Sequence, residues 1–141
     1  MNQLNIDNEL IIEKFKIIEL HLKRLKKLQG LSVGRFALDD NFAIAAWNLR
    51  CSLEATFDIG SHVLSRIPGV SFGTYKEIAL KLGEQMIVPQ DFAQGRLREM
   101  AGYRNRLTHF YFEVTPKEMY DIIQNYLGDF DTFLGYIKKM L

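Results

Sequence analysis

Residues capable of acid-base and phosphate-binding chemistry are concentrated in one short stretch of the chain, residues 104–111. It contains two arginines, an amide, a histidine and a tyrosine: Arg104, Arg106, Asn105, His109 and Tyr111. At about 100° per residue, Arg104 and Tyr111 fall on nearly the same line of a helix, and Asn105 and His109 share the adjacent line. We therefore expect two polar rows side by side at a helix end, where side chains can face a cleft.

These residue types suit cleavage of RNA without a metal ion. Histidine can accept the 2′-hydroxyl proton or protonate the leaving oxygen, and arginine can hold the phosphate and offset the charge of the transition state. Asn105 could orient the histidine or a phosphate oxygen, and Tyr111 could stack on a base or hydrogen-bond a phosphate. The same cations also suit a solvated helix C-terminus, and spacing alone leaves both interpretations open.

Composition and charge narrow the class of protein. The chain has 141 residues, 48% of them hydrophobic and 25% charged, which is typical of one globular domain spanning residues 1–141. The net charge is only +1, so any basic site must be local. From residue 94 to residue 111, four arginines against the single acid Glu99 leave a local charge of +3.

The cysteine and histidine content predicts neither a disulfide scaffold nor a metal site, because there is one cysteine and the three histidines are widely separated. We expect no cofactor. Acidic residues interrupt the first 13 positions, unlike a signal peptide, and no apolar run reaches the roughly 18 to 20 residues that cross a bilayer. We expect a cytoplasmic protein without a membrane partner.

Apolar spacing predicts an all-α, up-and-down bundle of four long helices and one short helix. Capping boxes at Thr74 with Glu77 and at Thr115 with Glu118 mark the starts of the third and fifth helices, and Asp39 or Asp40 is the expected N-cap of the second. The predicted helices cover approximately residues 8–29, 40–67, 74–83, 90–112 and 115–140.

Two histidines and a basic run are assigned structural roles. His21 and His62 lie in amphipathic helices among apolar neighbours, so we predict satisfied structural histidines without chemistry. The run KRLKK at residues 23–27 ends the first helix. It is interpreted as a solvated face that complements the helix dipole, with RNA docking as the alternative.

The second helix contains further residues with more than one interpretation. Trp47 is predicted to lie in the core or in a dimer interface, and Cys51 is predicted to be buried and inert. Asp58, Gly60 and Ser61 interrupt the apolar pattern with small and polar groups. They fit a close helix crossing, a site, or a two-fold contact.

The stretch Arg104-Asn105-x-x-x-His109-x-Tyr111 resembles the Arg-x4-His-x-Tyr motif of the HepT-type toxins, a branch of the HEPN superfamily. The match includes the polar residue that usually follows the arginine. Chain length, helix order, the stretch LEATFDIGSHV at residues 53–63 and the short third helix are similar as well. The resemblance covers residues 11–141 and implies a HEPN-like helical fold.

The resemblance also implies a function. HepT-type proteins are toxins of prokaryotic type VII toxin–antitoxin systems, and the similarity implies a metal-independent endoribonuclease whose two motifs face each other in a homodimer. Arg104 and His109 would be catalytic and Asn105 supporting, with tRNA or mRNA as substrate. Arg106 is not assigned in the family and is expected to add phosphate affinity.

The same resemblance implies a partner, a minimal nucleotidyltransferase antitoxin of the MntA type. It would transfer AMP from ATP to Tyr111, and a bulky anionic group beside His109 would block the nuclease. Two alternatives from other classes remain at this stage. One is a non-catalytic subunit that binds nucleotide or substrate for a nucleotidyltransferase, and the other is a structural dimer with a vestigial site.

Overall fold

The structure is a computed structural model that describes residues 4–141. Its regular elements are all helical, so the predicted all-α fold is confirmed. A π-helical segment, Ala93–Leu97, joins α5 to α6 without a break, and a 3₁₀ turn, Tyr111–Glu113, follows α6. The α-helices are α1 Asn8–Leu28, α2 Val33–Phe36, α3 Asn41–Ser65, α4 Tyr75–Glu84, α5 Gln90–Phe92, α6 Arg98–His109, α7 Pro116–Asn125 and α8 Gly128–Lys138.

Side-chain caps start two helices where the sequence predicts them. The Thr74 hydroxyl accepts a hydrogen bond from the Glu77 backbone N–H at the start of α4, and Thr115 accepts one from Glu118 at the start of α7, each at 3.1 Å. Asp40 occupies the predicted N-cap position of α3, but its side chain makes no capping bond.

The two longest helices, α1 and α3, pack along each other and form the centre of the bundle. Buried hydroxyl groups of α3 are satisfied by the helix's own backbone: the Ser52 hydroxyl donates to the Asn48 carbonyl at 2.9 Å, and the Thr56 hydroxyl donates to the Ser52 carbonyl at 2.8 Å. The His21 Nδ1 lies 2.7 Å from the Asn48 Oδ1, so this histidine links α1 to α3 as a structural residue.

His62 is structural as well. Its Nε2 accepts a hydrogen bond from the Asp7 backbone N–H at 2.9 Å, which ties the beginning of α1 to the end of α3. Partial burial lowers the pKa of His62 and so favours the neutral ring, the form that can accept this bond. Both histidines have hydrogen-bond partners, as predicted.

The prediction that a single fifth helix runs almost to the end of the chain was wrong. The structure has two helices there, α7 and α8. Tyr126 leaves helical geometry at φ −124° and ψ 5°, and α8 begins two residues later. The Arg96 guanidinium carbon lies 3.9 Å from the centre of the Tyr126 ring, and its Nε donates to Asp129 Oδ2 at 2.9 Å. Apolar spacing continues through the bend because α7 and α8 both bury residues in the same core, so periodicity does not reveal it.

The short helix α2 was not predicted. The Ser32 hydroxyl accepts from the Arg35 backbone N–H at 3.2 Å at its start, and Phe36 is completely buried. Four residues are too few to show a helical repeat in the sequence, so only the long-range burial of Phe36 identifies the element.

Two residues of α3 are less buried than predicted. The Trp47 side chain is 59% exposed and does not belong to the core. Cys51 is half-buried, and burial raises the pKa of its thiol, which disfavours the reactive thiolate. The prediction that Trp47 lies in the core was therefore wrong. Its place in a dimer interface stays a prediction.

The charged surface of α1 is solvated as predicted. Lys23, Arg24, Lys26 and Lys27 are exposed around the buried Leu25. Of the helices within residues 4–141, none is both long and apolar enough to cross a membrane.

A glycine determines how closely α4 approaches the π segment. A Cβ placed on Gly83 would lie 2.6 Å from the Cβ of Ala93, whereas a Cβ on Gly135 of α8 would meet nothing within 4 Å. We expect Gly83→Ala to lower the free energy of unfolding by about 1 to 3 kcal/mol, because the crossing must separate. Gly135→Ala is the matched control and is expected to raise it by up to about 1 kcal/mol.

Urea unfolding of both variants measures the difference. Equal midpoints for Gly83→Ala and the unsubstituted protein would contradict a close crossing at this position.

Candidate active site

Three of the predicted site residues, Arg104, Asn105 and His109, line one cavity of about 630 Å³. All three belong to α6, and the remaining wall is formed by α3, by α4 and by the segment before α4. Helical spacing predicts that Asn105 and His109 share one face of α6, and this arrangement is consistent with that prediction. A single helix therefore presents a cation, an amide and an imidazole to the same open cleft.

Arg104 is held in place by residues of two neighbouring helices. Its guanidinium carbon lies 4.0 Å from the centre of the Tyr75 ring at the start of α4. Its Nη2 lies 3.7 Å from Oε1 of Glu54 on α3. The Arg104 side chain is only 15% exposed, so the surrounding packing restricts its position.

The hydrogen-bonding capacity of this guanidinium is not used up. Its Nε is buried without a hydrogen-bond partner in the part of the chain that the structure describes. The Glu54 contact is longer than an ordinary hydrogen bond. A buried cation with unused donors favours an anionic ligand, because phosphate oxygens match the planar fork of arginine.

His109 is the last residue of α6 and is exposed at the cavity. Its ring meets Phe110 edge to face, with 6.4 Å between ring centres. Because α6 ends at this residue, the imidazole lies at the border between the helix and the following turn. It is open to solvent and to a ligand, as a general acid or base must be.

Tyr111 is separated from the cavity, and its expected alignment with Arg104 was wrong. The helix ends at His109 because Phe110 adopts φ −132° and ψ 37°, so the 3.6-residue repeat does not extend to Tyr111. The Tyr111 ring instead packs against Phe42 of α3, with 5.5 Å between ring centres. It lines a second, smaller cavity with Trp47 and other residues of α3.

Arg106 also points away from the cavity. Its guanidinium forms a two-pronged ion pair with Glu118 of α7, in which Nη2 donates to Oε2 at 2.9 Å. The hydrogen bond to Glu118 raises the pKa of Arg106, so its charge is permanent but paired. Its position does not support the predicted contact with a phosphate.

The local charge of +3 does not form one basic patch. Besides Arg106, Arg96 is paired with Asp129 at the bend between α7 and α8. The fold therefore directs Arg96 and Arg106 toward the C-terminal helices. Of the four arginines, Arg104 is the one that lines the cavity of about 630 Å³.

The polar interruption of α3 serves both a helix crossing and the site. A Cβ on Gly60 would lie 3.0 Å from side-chain atoms of Ile78 and of Leu82, so a small residue is needed where α3 and α4 cross. Asp58 and Ser61, on either side of it, line the cavity.

Two residues that hold Arg104 were not found from the sequence. Glu54 lies 50 positions before Arg104, and Tyr75 lies 29 positions before it. Helical spacing relates only residues within a few turns, so it cannot relate either one to the motif. The sequence signal that could have indicated Glu54 was the family-like stretch at residues 53–63, which contains it.

Within residues 4–141, no group of three or more histidine, cysteine, aspartate and glutamate side chains is placed to hold a metal ion.

Comparison with known proteins identifies the same family as the sequence motif. Residues 18–137 match the family model described as "Ribonuclease HepT-like". A "tRNA nuclease HepT" from Aphanizomenon flos-aquae is 25% identical over 97% of this chain and 93% of that protein. An "mRNA nuclease HepT" from Shewanella oneidensis is 28% identical over 93% of this chain and 98% of that protein.

The fold agrees with solved structures of such proteins. A tri-AMPylated Shewanella oneidensis HEPN toxin in complex with an MNT antitoxin superimposes with a TM-score of 0.79 and is 27% identical. The alignment covers 94% of this chain and 99% of that one. Motif, length and fold therefore agree, and the chain belongs to the HepT-like ribonuclease family.

Proposed function

We propose that Arg104 and His109 are the catalytic residues of this ribonuclease and that it cleaves RNA by attack of a 2′-hydroxyl on the neighbouring phosphate. The proposal rests on one observation, the shared cavity in which a confined guanidinium with unused donors lies with an exposed imidazole. Phosphate binding and proton transfer are thereby available at one place.

In the proposed reaction, His109 accepts the 2′-hydroxyl proton while the 2′-oxygen forms a bond to phosphorus. Arg104 offsets the negative charge that grows on the phosphorane. The bond from phosphorus to the 5′-oxygen then breaks, and a protonated imidazole returns a proton to that oxygen. The products are a 2′,3′-cyclic phosphate and a 5′-hydroxyl, and no step requires a divalent metal. Asn105 is proposed to orient the imidazole or a phosphate oxygen.

We assign RNA as the substrate, and the relatives named tRNA nuclease and mRNA nuclease show that targets differ within the family. Because tRNA and mRNA are cytoplasmic molecules in bacteria, the proposed reaction takes place in the cytoplasm. The alternative of a non-catalytic binding subunit would show tight partner binding without RNA cleavage.

The proposed active form is a homodimer in which two copies of the cavity share one cleft. Phe110 at the cavity and Phe112, 82% exposed, supply apolar surface beside the motif. An isologous contact through these side chains would bring two copies of His109 toward one substrate. Sedimentation equilibrium is expected to give twice the chain mass of 16.4 kDa, and Phe112→Asp is expected to shift the protein toward the monomer. A monomeric unsubstituted protein that retains full activity would contradict this arrangement.

The proposed partner is a minimal nucleotidyltransferase antitoxin of the MntA type. The structural relatives are toxin–antitoxin complexes, and one carries three AMP groups. In the proposed transfer, the Tyr111 oxygen forms a bond to the α-phosphorus of ATP, pyrophosphate leaves with the broken bond, and the phenolic proton passes to solvent. Tyr111 is 42% exposed and so accessible to a partner enzyme.

Substitution of the cavity residues tests the catalytic assignment. Arg104→Gln and His109→Ala are each expected to lower cleavage of an RNA oligonucleotide by about 100-fold or more, since each removes charge or proton transfer from the transition state. Assays in EDTA should show unchanged cleavage by the unsubstituted protein, with cyclic phosphate ends detected by mass spectrometry.

Arg106→Gln is the matched control, because it removes an arginine two residues along the same helix that pairs with Glu118. It is expected to retain activity within about twofold and to lose less than about 1 kcal/mol of stability, as for other exposed ion pairs. Full activity of Arg104→Gln, or an equal loss in Arg106→Gln, would refute the assignment.

The Tyr75 ring provides a second test, since it supports Arg104 without providing reactive groups itself. Tyr75→Leu is expected to lower cleavage about fivefold, corresponding to about 1 kcal/mol for a cation–π contact. Tyr75→Phe keeps the ring and should retain activity. If the two variants behave alike, the ring does not position Arg104.

A further inference from the structure

A groove of about 430 Å³ adjoins the cavity that contains His109. It is formed by the start of α4, the π-helical segment and the first turns of α6, and is called the α4–α6 groove below. On α4, Tyr75 lines the cavity and the next residue, Lys76, lines the groove. On α6, Asn105 lines the cavity and Gly102, one turn earlier, lines the groove. Because neighbouring residues of the same two helices form both walls, one extended ligand can occupy both spaces.

Four residues of α6 form a continuous row through the groove and the cavity: Arg98, Gly102, Asn105 and His109. They are separated by four, three and four positions, which is the spacing of residues on one face of a helix. The row begins with a cation in the groove and ends with the imidazole in the cavity. A single helix face therefore leads from the groove to the proposed site of cleavage.

Gly102 keeps the middle of this row open. A Cβ at this position would meet nothing within 4 Å, so packing between helices does not require a glycine here. Gly83 is different, because a Cβ there would lie 2.6 Å from the Cβ of Ala93. A glycine inside a helix lowers its stability relative to alanine, but it lets the backbone of a ligand lie close to the helix.

Two cations of the α4–α6 groove are unpaired in the part of the chain that the structure describes. Lys76 and Arg98 are exposed, and neither forms a salt bridge there. Arg96 also lines the groove but is paired with Asp129. Glu99 is the acidic residue of the wall, and the two unpaired cations outnumber it. The groove therefore favours a negatively charged ligand.

The separation between these cations and the catalytic arginine fits a strand of RNA. Arg98 precedes Arg104 by six residues, which corresponds to about 9 Å along the helix axis. Successive phosphates of one stacked strand are about 3.4 Å apart along its axis. A strand with one phosphate at Arg104 therefore places another at Arg98 about three nucleotides away.

We propose that the α4–α6 groove binds the RNA strand beside the cleaved linkage, with a phosphate held by Lys76 and Arg98 and the backbone lying over Gly102. The inference rests on the proposed cleavage of RNA at Arg104 and His109, and it adds the surface that holds the rest of the strand. Contacts to phosphates fix the position of the strand without reading its bases. The groove therefore increases the affinity for long RNA and leaves the choice of sequence to the cavity.

Binding of RNA that cannot be cleaved tests the groove separately from catalysis. The probe is a fluorescent 2′-O-methyl RNA of about 20 nucleotides, and the Kd is measured by anisotropy with the full-length protein. The double variant K76Q/R98Q is expected to raise the Kd about tenfold or more. It is also expected to make the dependence of log Kd on log salt less steep by about 1.4, which is about 0.7 for each lost phosphate contact to a single strand.

The double variant K26Q/K27Q is the matched control, because it removes the same charge from the basic run of α1, of which no residue lines the cavity or the groove. It is expected to change the Kd less than about twofold. Glu99→Gln removes the carboxylate from the wall and is expected to tighten binding about twofold or more.

A side chain placed in the groove provides an independent test. Gly102→Leu is expected to fold with an unchanged or higher Tm, because leucine favours a helix and the space at this position is open. It is expected to raise the Kd for the 2′-O-methyl RNA about tenfold or more. Gly135→Leu, at an open and exposed position of α8, controls for the substitution and is expected to have no effect on the Kd.

Substrate length connects the groove to cleavage. Once the cleaved linkage of a long RNA is mapped, a fragment of about four nucleotides centred on it reaches the cavity but not the phosphate position at Arg98. K76Q/R98Q is expected to raise KM for the long RNA about tenfold with kcat within about twofold. Cleavage of the fragment by the same variant is expected to stay within about twofold of the unsubstituted protein.

The outcomes separate this proposal from the proposed nuclease activity. An unchanged Kd in K76Q/R98Q or in Gly102→Leu overturns binding of RNA in the groove, as does an equal effect of K26Q/K27Q. Unchanged RNA binding together with lost co-purification of the nucleotidyltransferase assigns the groove to a protein partner and also overturns it. If the unsubstituted protein cleaves no RNA, the proposed function fails, and the anisotropy measurements still decide whether the groove binds RNA.

Discussion

The guanidinium of Arg104 is held between an aromatic ring and a carboxylate that belong to different helices, and the architecture of the cavity depends on this contact. Tyr75 begins α4 and Glu54 lies in the middle of α3, so α6 can present Arg104 to the cavity only if the three helices meet at one point. Gly60 permits the close approach of α3 to α4. The cation is confined, and its Nε has no hydrogen-bond partner among the described residues, which suits binding of an anion that arrives from solution.

Arginines of the same segment have different roles because their tertiary partners differ. Arg96 stacks on Tyr126 and pairs with Asp129 at the bend between α7 and α8, and Arg106 pairs with Glu118 on α7. These two cations attach the motif helix to the C-terminal part of the bundle. Arg104, by contrast, is held by Tyr75 of α4 and Glu54 of α3.

Most of the fold could be predicted from the sequence, because local rules act within a few residues. The capping boxes at Thr74 and Thr115 and the apolar repeats located the long helices and the short α4. The bend at Tyr126 could not be found in this way. Its contacts with Arg96 come from a residue 30 positions away, while the burial pattern of α7 and α8 continues as if the helix were unbroken.

By itself, the sequence determined the family, the candidate residues and the side of α6 on which Asn105 and His109 lie, because a motif and a helical repeat are both local properties. Only the tertiary structure decided that Arg104, and not Arg96 or Arg106, lines the cavity with Asn105 and His109, since that depends on where distant carboxylates such as Glu118 and Asp129 come to lie. It also separated Tyr111 from the cavity that contains His109. The end of a helix at His109 redirects the next two residues, and burial against α3 rather than spacing sets their direction.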